Sequence, residues 1–160
     1  MDLLWEHRKK FFACLGMLST LALGLLSGQA QAATATTTFS VTATNLAFGS
    51  YTTALVDATS TISVTCTKST TYNVGLNAGA STGATVTTRK MTGPGGDTLA
   101  YALYQDSAHT INWGNTVGTD TVSGTGNGSA QTLTVYGEVP AGQVVTPGAY
   151  TDTITATITY

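Results

Sequence analysis

Serine, histidine and aspartate are the residue types of nucleophilic catalysis, and Asp106-Ser107-Ala108-His109 holds all three. That chemistry needs a nucleophile within reach of a base, and a third group that orients the base. Neighbours along a short polar stretch meet the description in residue names only, so the segment reads as a solvated turn between two strands. Asp57, Asp97, Asp106, Asp120, Glu138 and Asp152 leave paired-carboxylate glycosidic chemistry open in principle, but none sits in a distinctive motif. Asp97 and Asp120 lie in Gly-rich loops that can lend oxygen ligands to Ca²⁺. They lack the alternating acidic spacing of a calcium loop and read as turn residues. Asn127-Gly128-Ser129 fits an N-glycosylation acceptor and equally an Asn-Gly hairpin turn. Trp113 and the tyrosines can stack on sugars, although packing within a sheet is their commoner use. The sequence therefore assigns no catalytic residue, cofactor or metal site, and the expectation is a protein that is not an enzyme.

Composition narrows the class. The chain has 160 residues, 9% of them charged, 42% hydrophobic, with 18 Gly and 3 Pro. Ordinary soluble proteins carry about 25% charge, so polarity here must come from hydroxyls and backbone, with threonine prominent. Charge-dense disorder is excluded, and 6 Lys+Arg cannot build a phosphate-tracking stripe, so no nucleic-acid partner is expected. Two Cys and 2 His exclude zinc fingers and multi-disulfide scaffolds.

The first residues read as an address. Arg8-Lys9-Lys10 is a positive cluster, Phe11 to Leu26 is an apolar run, and Ala30-Gln31-Ala32 has the small-x-small pattern of a cleavage site. Residues 1–32 are expected to be a secretory signal peptide, with cleavage between Ala32 and Ala33. The apolar run falls short of the roughly 20 residues a membrane span needs, so no span is expected after processing. The mature chain would keep Lys68, Arg89 and Lys90 against the six acids named above, three minus six, or a net charge of −3. It would also keep Cys66 as a lone cysteine, an oddity in an oxidising compartment.

Beyond the address, periodicity is two almost throughout. Tyr150, Asp152, Ile154, Ala156, Ile158 and Tyr160 share one face of a C-terminal strand, and five threonines share the other. Phe39-x-Val41-x-Ala43, Ile62-x-Val64-x-Cys66, Tyr72-x-Val74-x-Leu76, Leu99-x-Tyr101-x-Leu103 and Leu133-x-Val135 alternate likewise. Turn-rich stretches at 77–83, 93–97, 114–128 and 140–142 separate them. Many short strands with Gly-rich punctuation predict an all-β, immunoglobulin-like sandwich over 45–160. Residues 33–44 are either its first strand or an N-terminal extension that pairs with another chain's sheet edge, through Ala35, Thr37, Phe39, Val41 and Ala43.

Eight short matches in order then carry a resemblance. They are Asn45-Leu46-Ala47-Phe48-Gly49-Ser50-Tyr51, Ile62-Ser63-Val64-Thr65-Cys66-Thr67, Tyr72-Asn73-Val74-Gly75-Leu76-Asn77-Ala78-Gly79 and Arg89-Lys90-Met91. Leu99-Ala100-Tyr101-Ala102-Leu103-Tyr104, Trp113-Gly114, Val135-Tyr136-Gly137-Glu138-Val139-Pro140 and Pro147-Gly148-Ala149-Tyr150-Thr151-Asp152 complete the set. The mature chain resembles the spore coat protein U domain family, which includes the CsuA/B-like major pilins of archaic chaperone–usher pili. The resemblance implies a sandwich lacking its final strand. It also implies a periplasmic pilus chaperone, an outer-membrane usher and other copies of the subunit as partners. Export from a Gram-negative cell to a surface fimbrium serving adhesion or biofilm formation would follow. A spore or cell coat protein of the same fold is the first rival, and a monomeric secreted carbohydrate-binding module or enzyme using Trp113 or His109 is the second.

One piece of the resemblance is missing. In relatives a donor segment precedes a separate first strand whose cysteine pairs with the counterpart of Cys66. Here 33–44 has no cysteine and, at about 3.3 Å per residue, room for one strand only. Cys66 is therefore expected to be a free thiol. Alkylation of the processed protein, denatured but not reduced, should label it quantitatively; absence of labelling would show a hidden disulfide.

Overall fold

Threonines and other β-branched residues at alternate positions leave one face of each segment apolar, and such faces must stack on one another. The computed structural model describes the backbone of Asp2–Lys9 and residues 37–160. Ten strands follow in order: β1 (Asp2–Lys9), β2 (Phe39–Ala43), β3 (Leu46–Ala47), β4 (Val56–Cys66), β5 (Thr71–Leu76), β6 (Arg89–Thr92), β7 (Thr98–Tyr104), β8 (Val122–Thr125), β9 (Ala130–Val139) and β10 (Thr151–Thr159). The only helical element among the described residues is a 3₁₀ turn, Pro94–Gly96, inside an expected turn. Among the described residues no helix is long and apolar enough to cross a membrane.

The strands form two layers. One runs β2-β4-β9-β7, with β4 and β9 paired antiparallel from Val56↔Val139 to Thr65↔Ala130. The other runs β7-β6-β10-β1-β3, with β5 also on β10 and β8 on β5. Strand β7 belongs to both: Thr98 to Tyr101 pair with β6, and Ala102 to Tyr104 pair with β9. Between the layers lie Ile62 and Val64 of β4, Val74 and Leu76 of β5, Leu99 and Leu103 of β7, Val135 and Val139 of β9, and Ile154 of β10, all fully buried. Each such side chain stabilises the fold by about 1.5–3 kcal/mol, so a chain poor in charge is held by its interior.

The expected strands are present, and β10 buries the predicted face from Tyr150 to Ile158, with Tyr160 exposed beyond the strand's end. The stretch 114–128, expected to be turn-rich, contains β8. Val122 to Thr125 are too short a run between glycines to show alternation, and they are strand because β5 offers them an open edge. The two-residue β3 and four-residue β6 escape periodicity for the same reason.

Two carboxylates staple loops. Asp97 accepts hydrogen bonds from Thr146 N–H at 2.7 Å and from the Tyr150 hydroxyl at 3.2 Å, and the Thr146 bonds chiefly hold its pKa below the ordinary 3.8. Asp106 accepts from Ile111 N–H at 2.8 Å and from the Thr110 hydroxyl at 2.8 Å, and its pKa is lowered mainly by the Ile111 bond. A group whose folded pKa is depressed stabilises fully above its unfolded pKa and loses that contribution as pH falls through the folded value. An Asp97→Asn/Asp106→Asn double variant should therefore have a lower urea midpoint at pH 7. Its midpoint should also fall less steeply than the parent's as pH drops below about 4.

Candidate functional site at the edge of the last strand

Buried backbone groups must be hydrogen-bonded, so what lies along each edge of a core strand decides whether that edge is stable. On one side β10 meets β6 at Thr151↔Thr92 and β5 from Ala156↔Leu76 to Thr159↔Asn73. On the other, among the described residues, it meets β1 alone, in parallel register from Asp2↔Thr151 to Lys9↔Ile158. The far edge of β1 pairs antiparallel with β3 through Asp2↔Ala47 and Leu3↔Leu46. Strands β10 and β3 thus flank a slot one strand wide and eight residues long. It is filled by residues from the segment ahead of the apolar run. Leu46, Phe48, Ile154, Ala156 and Ile158 are buried beside it.

A buried polar network anchors the start of β10. Asp152 is 5% exposed on the apolar face of its strand. Its carboxylate accepts from the Tyr101 hydroxyl at 2.7 Å, from Ala80 N–H at 2.8 Å and from Thr153 N–H at 2.8 Å. Gly79, with φ +90°, lies so close that any Cβ would run into that carboxylate. Arg89, fully buried, donates to the carbonyls of Asn77, Val86, Leu76 and Trp113 at 2.6–3.1 Å. Burial lowers its pKa to about 10, with the charges of Tyr101, Asp152 and Asp120 opposing the shift. Burial, together with neighbouring Asp152, pushes the Tyr101 hydroxyl far above its ordinary value. Local alternation of residue types does not show this network. The available signal was an acid on the dry face of β10, which requires buried partners.

The sequence candidates fall as follows. Ala30, Ala32, Ala33 and Ala35 lie outside the described residues, as does the apolar run. Thr37 is exposed. Phe39, Val41 and Ala43 are half-buried in β2, paired with Cys66, Val64 and Ile62 of their own chain. The segment thus sits as a first strand here, and the Phe39 ring stacks on Tyr160 at 4.0 Å. Cys66 is buried and in no disulfide; its thiol donates to Thr67 O at 3.4 Å, and burial raises its pKa. Phe39 stands opposite it, where the resemblance implied a cysteine on the first strand. Trp113 is 1% exposed, and its indole N–H donates to Val74 O at 2.9 Å, so neither ring face is offered to a sugar. His109 is not a solvated turn residue: its side chain is 18% exposed, beside Tyr104 and Tyr136. Asp120 closes a loop by accepting from Thr116 N–H at 2.6 Å. Asn127 closes the turn that carries the chain from β8 to β9 by accepting from Ser129 N–H at 2.8 Å.

Residues 25–157 match the Spore Coat Protein U domain. Protein U of Myxococcus xanthus is 40% identical over 107 residues, which are 64% of this chain and 59% of that protein. Among solved structures, similarity extends to a chain of the CsuC–CsuE chaperone–tip adhesion subunit pre-assembly complex, from archaic chaperone–usher Csu pili of Acinetobacter baumannii. The TM-score is 0.61 at 20% identity, over 78% of this chain and 40% of that one. That likeness shows the immunoglobulin-like fold.

Removing either side of the buried network strands polar groups in the core. Arg89→Met, which leaves four carbonyls without their donor, and Asp152→Ala should each cost about 3–5 kcal/mol in urea unfolding. Asp152→Asn should cost less, because its amide oxygen still accepts from Tyr101. Losses near zero for the first two would show that the network contributes little.

Proposed function

This chain belongs to the Spore Coat Protein U domain family, and from that premise we propose that it is a non-enzymatic structural subunit of a surface fibre. A periplasmic chaperone and an outer-membrane usher assemble the fibre on a Gram-negative cell, where it serves adhesion or biofilm formation. The observation that carries the reading is the slot beside β10, which takes a whole added strand in parallel register. Export with cleavage after Ala32 removes Asp2–Lys9, the strand that fills it. The mature sandwich then has an open edge over its core and needs a strand from elsewhere. A chaperone supplies one first, and the N-terminal segment of the next subunit replaces it. Such a head-to-tail contact does not close on itself, so it propagates into a fibre.

Ala35, Thr37, Phe39, Val41 and Ala43 are the donor residues in this reading. Extended, Ala35 to Ala43 spans about 30 Å, against about 26 Å for the eight-residue slot. The same residues form β2, so the two roles compete. Among the described residues β2 pairs with one strand, β4, at the end of its sheet and is half-buried, which favours its release. A coat-forming role with the same strand exchange is the second reading, favoured by the family's own description.

Periplasmic expression tests the proposal. Alone, the subunit should aggregate or be degraded; with its chaperone it should be recovered as a one-to-one complex. A stable soluble monomer without help would overturn the reading. Phe39→Cys tests the donor segment separately. Oxidation to a disulfide with Cys66 should pin β2 to β4, stabilise the subunit by about 3 kcal/mol and stop polymerisation, while reduction restores it. Normal fibres from the oxidised variant would show that β2 is not the donor.

A further inference from the structure

Two carboxylates stand directly opposite each other on adjacent strands, Asp57 of β4 and Glu138 of β9. Like charges in that position repel, and nothing in the strand pattern requires them there. A third group comes from a separate loop. His109 follows β7 in a turn closed by its own N–H to Asp106 O at 3.2 Å and by the Asp106 carboxylate on Thr110 and Ile111. Its backbone is left-handed, φ +54°, a conformation rare for residues other than glycine. The ring is held by Tyr104, at 5.1 Å between centroids, and by Tyr136 at 6.4 Å. The result points Nδ1 at both acids, 3.5 Å from Glu138 Oε2 and 3.9 Å from Asp57 Oδ1. One ligand atom from each residue lies within 4.8 Å of the others.

Those separations discriminate between two ways of neutralising the acids. A protonated imidazole in a charge-assisted hydrogen bond would sit at about 2.7–2.9 Å. Ligands bound at about 2.0–2.1 Å around a tetrahedral ion stand roughly 3.4 Å apart, close to the His109–Glu138 separation. The Asp57 separation needs only a small side-chain adjustment, and Asp57, at 53% exposure, is free to make it. We propose that Asp57, Glu138 and His109 bind one divalent transition-metal ion of the zinc class. One imidazole nitrogen, two carboxylate oxygens and a water complete the coordination. The nitrogen donor favours a first-row ion over calcium or magnesium, which prefer all-oxygen shells. The ion ties the loop after β7 to the β4–β9 ladder, and no ligand lies on β10 or the slot, so the site is independent of strand exchange.

The test uses the full chain without a polyhistidine tag, dialysed against EDTA and titrated with zinc chloride by calorimetry and thermal unfolding. The expected result is one ion per chain with an affinity on the order of micromolar or tighter, and a Tm raised by about 4 °C or more. His109→Ala should weaken binding at least about tenfold and abolish the Tm gain. Asp57→Asn should do likewise while leaving the metal-free Tm in place, which decides the question if the histidine variant folds poorly. Calcium chloride should give little or no shift. Three results would overturn the site: no zinc binding below millimolar, affinity unchanged in Asp57→Asn, or stabilisation that appears on acidification and not with zinc.

Discussion

The last strand of the sandwich, β10, lies in the middle of its sheet but is served on one edge only by the described residues from 37 onward. Strands β6 and β5 share that edge, and the other is satisfied by a strand from the extreme N-terminus. In a water-excluding interior an unpaired ladder is costly, and eight residues of it cannot simply be left open. The position of β3 follows, since Leu46 and Ala47 pair with the added strand and not with β10.

The Arg89–Asp152–Tyr101 cluster answers a second demand of the same edge. A strand whose neighbour comes from so distant a segment needs something else to fix its register. Asp152 does so through hydrogen bonds to β7 and to the loop after β5, none of them on the slot side. Arg89 ties the same loop to Trp113 through backbone carbonyls, which no change of partner disturbs. The scarcity of charge elsewhere fits this arrangement. Threonine faces supply polarity through hydroxyls, and Arg89 and Asp152 are buried ionic groups held by hydrogen bonds.

Much of this was legible in the sequence because alternation is local. Ile62-x-Val64-x-Cys66 and the β10 run declare their inner faces within a few residues, and the Gly-Pro stretches mark where they end. What escaped is set by pairings between distant segments. Strand β8 is a strand only because β5 has a vacant edge. Asp57 and Glu138 are neighbours only because β4 and β9 align in one register, and His109 joins them only through a left-handed turn. Arg89 stood in a recognised motif, but its surroundings come from three separate segments. The first strand carried two readings in the sequence; the described chain places Phe39 to Ala43 on β4, and the roles of those residues in assembly rest on the proposal above.

Strand β7 gives its first half to one layer and its second half to the other. In a sandwich of two independent sheets, tension applied to opposite layers would let them slide past each other across a greasy, non-directional interface. Here sliding must also tear the β7 ladder along its length, with its hydrogen bonds loaded in shear together instead of peeled one by one. Any load that enters through one layer and leaves through the other therefore meets a stiff link.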